Sequence, residues 1–307
     1  MRFIKDTNID FMGKTGIASA LSAILLITGI TSIVMNGGPK LSIDFKGGTL
    51  IAVNYTESVD INTVRSKLSQ VTIDGQMFDF SQAEIKHFGD KSNVAVRLPN
   101  MDNEPDKFSQ KFVEKMVNAF PEIVPENKTD FILSIEKVGP KIGSELSGDA
   151  IMAILSALTL ILIYISIRFE FKYAVGAIAA LTHDVLITLG IFSILDYEVS
   201  LAVIAAFLTI VGYSLNDTIV IFDRVRENVK SIKNATLSSV INKSINQSLS
   251  RTIITSLTTF FVVLILFIVG GEVIHTFAFA MIIGVIIGTY SSIFVASPVV
   301  IKMNSNR

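Results

Sequence analysis

Six apolar blocks, each about as long as a membrane-spanning helix, divide the chain. They cover residues 15–35, 150–168, 174–195, 200–222, 252–270 and 275–299. About 20 apolar residues in a helix cross the hydrocarbon core of a bilayer. A polar region, 36–148, separates the first block from the other five, and the longest connection within 149–299 is the segment 223–251. The pattern predicts six transmembrane helices, five of them in one bundle, and one domain outside the bilayer.

Lys and Arg residues collect on one side of these blocks and predict their orientation. They occur in the N-terminal segment 1–14, in the 223–251 loop and in the tail 300–307, and they include Arg2, Lys5 and Arg307. The opposite connections, DYEV and GGEV, contain none. By the positive-inside rule both termini are cytoplasmic and 36–148 is external. The first block exceeds the length of a signal-peptide core, so we expect an uncleaved anchor.

The region 36–148 alternates between strand and helix periodicity. Strands are predicted at 47–55, 76–88, 94–98 and 131–138, with the second the weakest. One helix follows Ser58, a candidate cap, and another places Phe108, Phe112 and Met116 at four-residue steps. The order βαββαβ predicts a small ferredoxin-like α+β domain. The fold class is therefore an α-helical membrane protein with six transmembrane helices and this external domain.

Two glycine-containing motifs flank the external domain. IDFKGGT carries Asp44, Gly47 and Gly48, and VGPKIGSEL carries Gly139, Pro140 and Gly143. Glycine permits tight turns that other residues resist. The motifs either route the chain between the membrane and the domain or form a hinge about which the domain swings. The residues themselves fit both interpretations.

Several polar groups interrupt the apolar blocks, where they are expensive and commonly functional. Asp217, flanked by Asn216 and Thr218, precedes the end of the fourth block, and Arg251 opens the fifth. Because a hairpin joins these blocks, they can pack as neighbours, and the geometry allows Asp217 and Arg251 to form an ion pair. Asp184 lies deeper still. Its neighbour His183 points about 100° away on a helix, so the two side chains need not meet.

The acids have two interpretations. An Asp217–Arg251 pair is either a static structural contact or a site that takes up and releases a proton. Moving one charge across the membrane yields about 2.3 kcal/mol per 100 mV, enough to bias a bundle with two arrangements. Asp184 either exchanges the proton with Asp217 or holds helices together. Sequence alone leaves both alternatives open.

Small residues recur every fourth position in the sixth block and include Gly284 and Gly288. Such a stripe lets a neighbouring helix approach closely. The serine-rich stretch NATLSSVINKSINQSLS before the fifth block has apolar residues at four-residue spacing and predicts an interfacial helix that contacts membrane lipid.

Composition argues against several other functions. The chain contains no cysteine, and its three histidines lie far apart. We find no nucleophile–base pair, P-loop or metal-ligand spacing, so we expect no enzyme activity, no metal and no cofactor. A net charge of −1 offers no general attraction for nucleic acid.

Several motifs resemble the SecF family, the smaller subunit of the SecD/SecF accessory complex of bacterial protein export. The run IVGYSLNDTIVIFDRVREN (210–228) is similar to the family's fourth-span signature. IDFKGGT, VGPKIGSEL, LTHDVL (181–186) and LSRTIITSLTTF (249–260) also resemble SecF motifs, in the SecF order. The resemblance covers nearly the whole chain.

This resemblance implies a function, partners and site residues. SecF-like proteins belong to the broad superfamily of resistance-nodulation-division exporters and sit in the bacterial cytoplasmic (inner) membrane. They work with SecD beside the SecYEG translocon, with YajC and YidC as further partners, and use a gradient of H⁺ or Na⁺ to draw the translocating preprotein outward. The family's proton-path Asp and Arg match Asp217 and Arg251 here. The chain has no second set of six spans, so a separate SecD is expected.

Two other functions compete with export. A small-molecule or lipid exporter half would be expected to carry larger external domains than the region 36–148. A non-transporting scaffold of the translocon would tolerate neutralisation of Asp217. Both remain alternatives at the level of sequence.

Overall fold

A computed structural model of the protein describes residues 7–81, 83–101 and 104–305. Arg2, Lys5 and Arg307, which contribute to the predicted orientation, lie outside the described residues. The chain forms two compact units. One contains Leu41–Asp149, and the other contains the segments before and after it.

Eleven α-helices are found in the described part of the chain. They are α1 Thr15–Met35, α2 Ile43–Lys46, α3 Ile61–Leu68, α4 Phe108–Ala119, α5 Lys128–Phe131, α6 Pro140–Arg168, α7 Phe171–Ile194, α8 Leu201–Ser231, α9 Leu237–Val269, α10 Gly271–Ser291 and α11 Ser297–Ser305. Six helical segments are long and apolar enough to cross a membrane, with α10 and α11 sharing the last. The prediction of six spans is confirmed.

The unit Leu41–Asp149 contains a four-stranded antiparallel sheet with the order β4-β5-β1-β6. The strands of this unit are β1 Gly48–Asn54, β2 Gln70–Ile73, β3 Gln76–Asp79, β4 Glu84–Phe88, β5 Asp90–Leu98 and β6 Ile132–Val138. Helix α3 follows β1, and α4 lies between β5 and β6 in sequence. This is the split-βαβ arrangement, so the ferredoxin-like prediction is confirmed.

The predicted strand 76–88 is wrong as a single element. Its first part, β3, pairs with β2 in a separate hairpin, and its second part, β4, forms an edge of the main sheet. Asp74 and Gly75 connect β2 to β3 with φ angles of 52° and 80°. Two successive positive φ angles are typical of a tight hairpin turn, and Asp-Gly is its preferred sequence.

The cap of α3 also differs from the prediction. Asp60, and not Ser58, occupies the N-cap position, and its side chain accepts a hydrogen bond from the Thr63 backbone N–H at 2.9 Å. Val64 and Leu68 of this helix pack into the domain core with Phe108 and Phe112 of α4. The apolar positions chosen from the sequence therefore form one core.

The predicted 223–251 loop is wrong, because most of this segment is helical, and the helix predicted within it forms the first part of α9. Helix α8 continues to Ser231, and α9 starts at Leu237. The polar residues bond to other parts of the protein. Asn228 Nδ2 donates to Ser244 Oγ and Gln247 Oε1, each at 2.8 Å. These contacts join α8 to α9, so the polar composition marks a helix–helix contact.

The last membrane segment is interrupted by one wide turn. Residues Ser292–Ala296 form a π-turn between α10 and α11. The Ser297 hydroxyl donates to the Ser292 carbonyl at 3.0 Å, and Ser297 is fully buried. Beyond the turn, Val300 packs into the core of the bundle. The turn thus lies inside the packed region.

Candidate functional site

Asp217 lies on the buried face of α8. This face also contains Ile210, Ser214 and Ile221, which are three or four residues apart and point to one side of a helix. The side chain of Asp217 is 2% exposed. Burial of a carboxylate at this depth is costly unless it has partners.

Helix α10 approaches this face of α8 closely. A Cβ atom built on Gly288 would lie 2.9 Å from the Cβ atom of Ser214, and one on Gly284 would clash with Ile210. Glycine at these positions therefore allows the two helices to pack around Asp217. The small-residue stripe in the sequence lies at this contact.

The carboxylate of Asp217 has a weak hydrogen bond in the described structure. Ser256 Oγ on α9 lies 3.4 Å from Asp217 Oδ2, but 2.7 Å from Thr289 Oγ1 on α10. Thr289 donates its own proton to the Val285 carbonyl at 2.8 Å. Because Ser256 has one hydroxyl proton, the nearer Thr289 competes for it. The Asp217 carboxylate consequently lacks a close hydrogen-bond donor.

Arg251 does not pair with Asp217 in this arrangement. Their charged atoms are not within 4.0 Å of one another, although both residues lie in the described range 104–305. Arg251 is exposed and lines a cavity of about 520 Å³ with Asn216, Arg168 and Asp223. Adjacent residues of a helix point about 100° apart, so Asn216 faces the cavity while Asp217 faces the bundle.

Thr218 is also buried but does not bind the Asp217 carboxylate. Its hydroxyl donates to the Ser214 carbonyl at 3.2 Å, one turn back along α8. The hydroxyl of Thr218 therefore has its hydrogen bond within its own helix. Its contribution to the site is the packing of this buried face.

Asp184 on α7 has a full set of hydrogen-bond donors. His183 Nδ1 lies 2.9 Å from Asp184 Oδ1, while the hydroxyls of Ser214 and Ser291 donate to Oδ2 at 2.6 and 2.7 Å. Asp184 is fully buried. The two adjacent side chains meet although the sequence did not require it. Sequence reasoning missed the two serines, since each is an ordinary small residue in an apolar span.

The two acids are therefore held differently. Asp184 has donors that include Ser214 of α8, whereas Asp217, itself on α8, has one contact from α9. Ser214, which binds Asp184, precedes Asp217 by three residues on the same helix. One carboxylate has three close partners, and the other has a single long contact. Any rotation or shift of α8 would change the surroundings of both acids together. This arrangement suits the binding and release of an ion.

The glycines of the first flanking motif have conformations that favour glycine. Gly47 and Gly48 have φ angles of 71° and 122°. A side chain on Gly48 would clash with the Leu98 carbonyl of the neighbouring strand. Asp44 lies in α2, where its carboxylate accepts a hydrogen bond from Ser42 Oγ at 3.0 Å.

The second flanking motif packs against the first. A Cβ atom on Gly143 would lie 2.8 Å from the Phe45 carbonyl. Pro140 is the first residue of α6 and Gly139 immediately precedes it, which suits the preference of proline for the first turn of a helix. The motifs thus form one tight backbone contact within the unit Leu41–Asp149.

Oxygen atoms provide most of the polar groups at this site. Among the described residues, no group of His, Cys, Asp and Glu has the arrangement of a metal site. Carboxylates and hydroxyls predominate around Asp184 and Asp217. These groups can bind a proton, and their oxygen atoms are ligands for hard cations.

Comparison with known proteins gives matches over the whole chain. A family model described as protein export membrane protein SecD/SecF, C-terminal, matches residues 122–306. The protein translocase subunit SecF of Calditerrivibrio nitroreducens is 45% identical over 306 residues, which cover 98% of this chain and 96% of that protein. The SecF subunit of Vibrio alginolyticus is 40% identical, with 98% and 92% covered.

A solved structure is similar as well. The crystal structure of SecDF, a translocon-associated membrane protein from Thermus thermophilus, matches with a TM-score of 0.85 and 37% identity over 98% of this chain. The match spans 39% of the SecDF chain. These findings confirm the resemblance inferred from the motifs.

Proposed function

Because the chain belongs to the SecF family of protein translocase subunits, we propose that it couples an ion gradient to preprotein export. In this proposal it acts with SecD to promote movement of the preprotein across the bacterial cytoplasmic membrane and its release. The chain is a multi-pass membrane protein, and we place both termini in the cytoplasm with 36–148 outside. SecYEG is the proposed channel, with YajC and YidC as further partners.

The observation that carries this proposal is the state of Asp217. Its carboxylate is 2% exposed within a membrane-spanning helix and has one long hydrogen bond. A buried acid of this kind is a default candidate for ion transport. An acid that only held helices together would be expected to have close hydrogen-bond donors, which Asp217 lacks.

Each residue near Asp217 has a proposed role. Asp217 binds the coupling ion, H⁺ or Na⁺. Asn216 and Arg251 line the cavity beside it, and the long Arg251 side chain moves toward Asp217 in another state of the cycle. Thr218 maintains the packing of α8, and Asp184 is the second member of the relay.

The flanking glycines have a proposed role in motion. In export the external domain must move in response to the ion. Our candidate hinge is the contact of Gly47 and Gly48 with the segment around Gly143. Positive φ angles and close backbone packing allow the chain only a few conformations at this contact. Small hinge residues absorb changes in backbone angles.

Preprotein translocation into inverted membrane vesicles tests the proposal. The vesicles carry this protein with its SecD, and the protein is wild type, Asp217→Asn or Asp217→Glu. We expect an imposed proton gradient to stimulate wild type, to have no effect on Asn and to have a partial effect on Glu, with sodium tested in parallel. Full stimulation of the Asn variant with either ion would contradict ion coupling through Asp217 and favour a scaffold.

A further inference from the structure

A buried chain of hydrogen bonds connects Asp184 on α7 to α1. His183 Nδ1 contacts Asp184 at 2.9 Å, and His183 Nε2 contacts Ser22 Oγ on α1 at 2.9 Å. Ser22 Oγ contacts the Tyr290 hydroxyl on α10 at 2.9 Å, and Tyr290 donates to the Ala18 carbonyl on α1 at 2.6 Å. His183 is 6% exposed and stacks on the Tyr290 ring.

The direction of each bond follows from the α1 end of the chain. The Ala18 carbonyl can accept but not donate, so the single hydroxyl proton of Tyr290 belongs to that bond. Ser22 must then supply the proton between its own oxygen and that of Tyr290. With its proton used in this way, Ser22 can only accept from the histidine. His183 Nε2 therefore carries a proton.

The other end of the chain requires one more proton. Asp184 Oδ2 accepts from both Ser214 and Ser291. At Oδ1 a carboxylate and an unprotonated Nδ1 would both be acceptors, and their contact at 2.9 Å would be repulsive. One proton must lie between Nδ1 and Oδ1. The pair is then imidazolium with carboxylate or imidazole with carboxylic acid, and it is neutral in both forms.

We propose that His183 and Asp184 form a second proton-binding site, and that loss of its proton removes one of the two hydrogen bonds between Tyr290 and α1. The inference deepens the proposed ion coupling and rests on it for its role in export. The site adds His183, Ser22 and Tyr290 to the residues that respond to the ion.

Proton loss changes the whole chain of bonds. When the pair gives up one proton, the remaining ring proton lies on Nδ1 and is donated to the Asp184 carboxylate. Nε2 becomes an acceptor and takes the Ser22 proton. Tyr290 then has one proton for two oxygen atoms, Ser22 Oγ and the Ala18 carbonyl, and one of its two bonds to α1 is lost.

The surroundings contain few other groups that titrate. Helix α1 and the π-turn contain no Asp, Glu, Lys or Arg. From α10 the facing titratable group is Tyr290, while Glu272 and His275 lie at the opposite end of that helix. From α8 the nearest acid in sequence to Ser214 is Asp217, whose hydrogen bond is directed to α9. The proton count of the pair therefore controls this network.

The loss of a Tyr290 bond matters for α1 because few other side-chain hydrogen bonds are described between α1 and α7. Ser32 Oγ contacts Ser193 Oγ at 2.9 Å, and Asn36 Nδ2 donates to Ser193 Oγ at 3.2 Å. Between these levels, Gly29 and Gly190 pack backbone to backbone. Helix α1 also directly precedes the external unit in sequence. The proton state can thus reach the span from which that unit continues.

Nitrogen NMR of the full-length protein in lipid vesicles tests the proton assignment. The chain has three histidines, so ¹⁵N-histidine labelling with a His183→Gln comparison identifies the signal of His183. We expect a protonated Nε2 at the acid end of the pH range and a bare Nε2 at the alkaline end. A bare Nε2 at low pH would overturn the proposal. Persistent Nε2 protonation at every pH at which the protein stays folded would also overturn it.

Disulfide formation between Ser32→Cys and Ser193→Cys tests the effect on α1. Wild type has no cysteine, so the introduced pair is unambiguous. The cysteine pair is combined with Tyr290→Phe in one protein and with the control substitution Tyr213→Phe in another. The buried hydroxyl of Tyr213 has no partner among the described residues. We expect faster cross-linking in the control at low pH, with the ratio of the two rates falling toward one as the pH rises. A ratio that is the same at every pH would overturn the proposal.

These measurements are independent of export. Neither needs a preprotein or a channel, so their results do not depend on whether the translocation assay shows a need for Asp217. If Asp217 behaves as expected while His183 has a bare Nε2 at low pH, the proposed function stands and this inference falls.

Discussion

Gly29 of α1 and Gly190 of α7 meet backbone to backbone. A Cβ atom built on Gly29 would lie 2.8 Å from the Cα atom of Gly190, which is closer than real Cβ contacts. Two glycines therefore set the distance between these helices. Close approach of this kind is a main source of helix association in a membrane, where apolar side chains have no preference for each other over lipid.

Gly190→Ala should weaken the contact of α1 with α7. The added methyl group forces the helices apart, and overpacking of this kind costs about 1–3 kcal/mol. Thermal unfolding of the purified protein should show a lower midpoint. The matched control is Gly16→Ala on α1, where a Cβ atom meets nothing within 4 Å. Equal midpoints for the two variants would contradict the close contact.

Asn242 on α9 should hold the segment before α1. Its Oδ1 accepts from the backbone N–H groups of Phe11 at 2.8 Å and Met12 at 3.2 Å. Asn242→Ala leaves these donors unpaired, at a cost of about 1–3 kcal/mol. Limited proteolysis should cleave near Phe11 faster in this variant. The exposed neighbour Lys243→Ala is the control, and the same acceleration there would argue against a specific role of Asn242.

Thr252→Val should not destabilise the protein. The hydroxyl of Thr252 is buried and has no hydrogen-bond partner among the described residues. Removing an unsatisfied polar group without changing its shape is neutral or gains up to about 1 kcal/mol. Ser214→Ala is the comparison, because it removes a 2.6 Å bond to Asp184 and should lower the unfolding midpoint. A loss of stability in Thr252→Val would show that the hydroxyl has a partner.

Asp60 should make the start of α3 sensitive to acid. Hydrogen bonds from the Thr63 backbone N–H and hydroxyl lower the pKa of Asp60 from its ordinary value of 3.8. A lowered pKa means that the cap stabilises the helix above pH 3.8 and is lost as the pH falls through the lower folded value. Asp60→Asn keeps a neutral acceptor at every pH.

Hydrogen exchange of residues 61–68 measures this effect. The difference in protection between wild type and Asp60→Asn should change between neutral and strongly acid solution, in favour of Asn in acid. A difference that is constant with pH would mean that the ionised carboxylate adds nothing to the cap.

The hydropathy pattern predicted the spans because their apolar blocks are long and continuous. Strand and helix periods predicted the fold of the unit Leu41–Asp149 equally well, since residues such as Ile51 and Phe112 are buried as their spacing requires. The error at 76–88 is local, because Asp74-Gly75 forms a hairpin turn that pairs the start of this segment with β2. The error at 223–251 has another cause. Polar residues such as Asn228 resemble a loop in sequence when they bond to the next helix of a hairpin, here to Gln247 of α9.

The site was predicted in part for a physical reason. A buried acid is visible in sequence because its charge stands out against an apolar block, as with Asp184 and Asp217. The serines that bind to Asp184 and His183, and the tyrosine that binds to Ser22, come from α1, α8 and α10. Their meeting depends on three-dimensional packing, which the spacing of any one helix does not contain.

The π-turn at Ser292–Ala296 gives the last membrane segment one place that tolerates a change in the number of residues. Such a turn accommodates one residue more than an α-helix of the same length. Deleting a single residue there would restore regular α-helical hydrogen bonds and leave the residues beyond, such as Val300 of the core, in nearly the same direction around the helix axis. The same deletion in the regular part of α10 would rotate everything beyond it by about 100°. A one-codon deletion should therefore be less damaging within this turn than one turn before it.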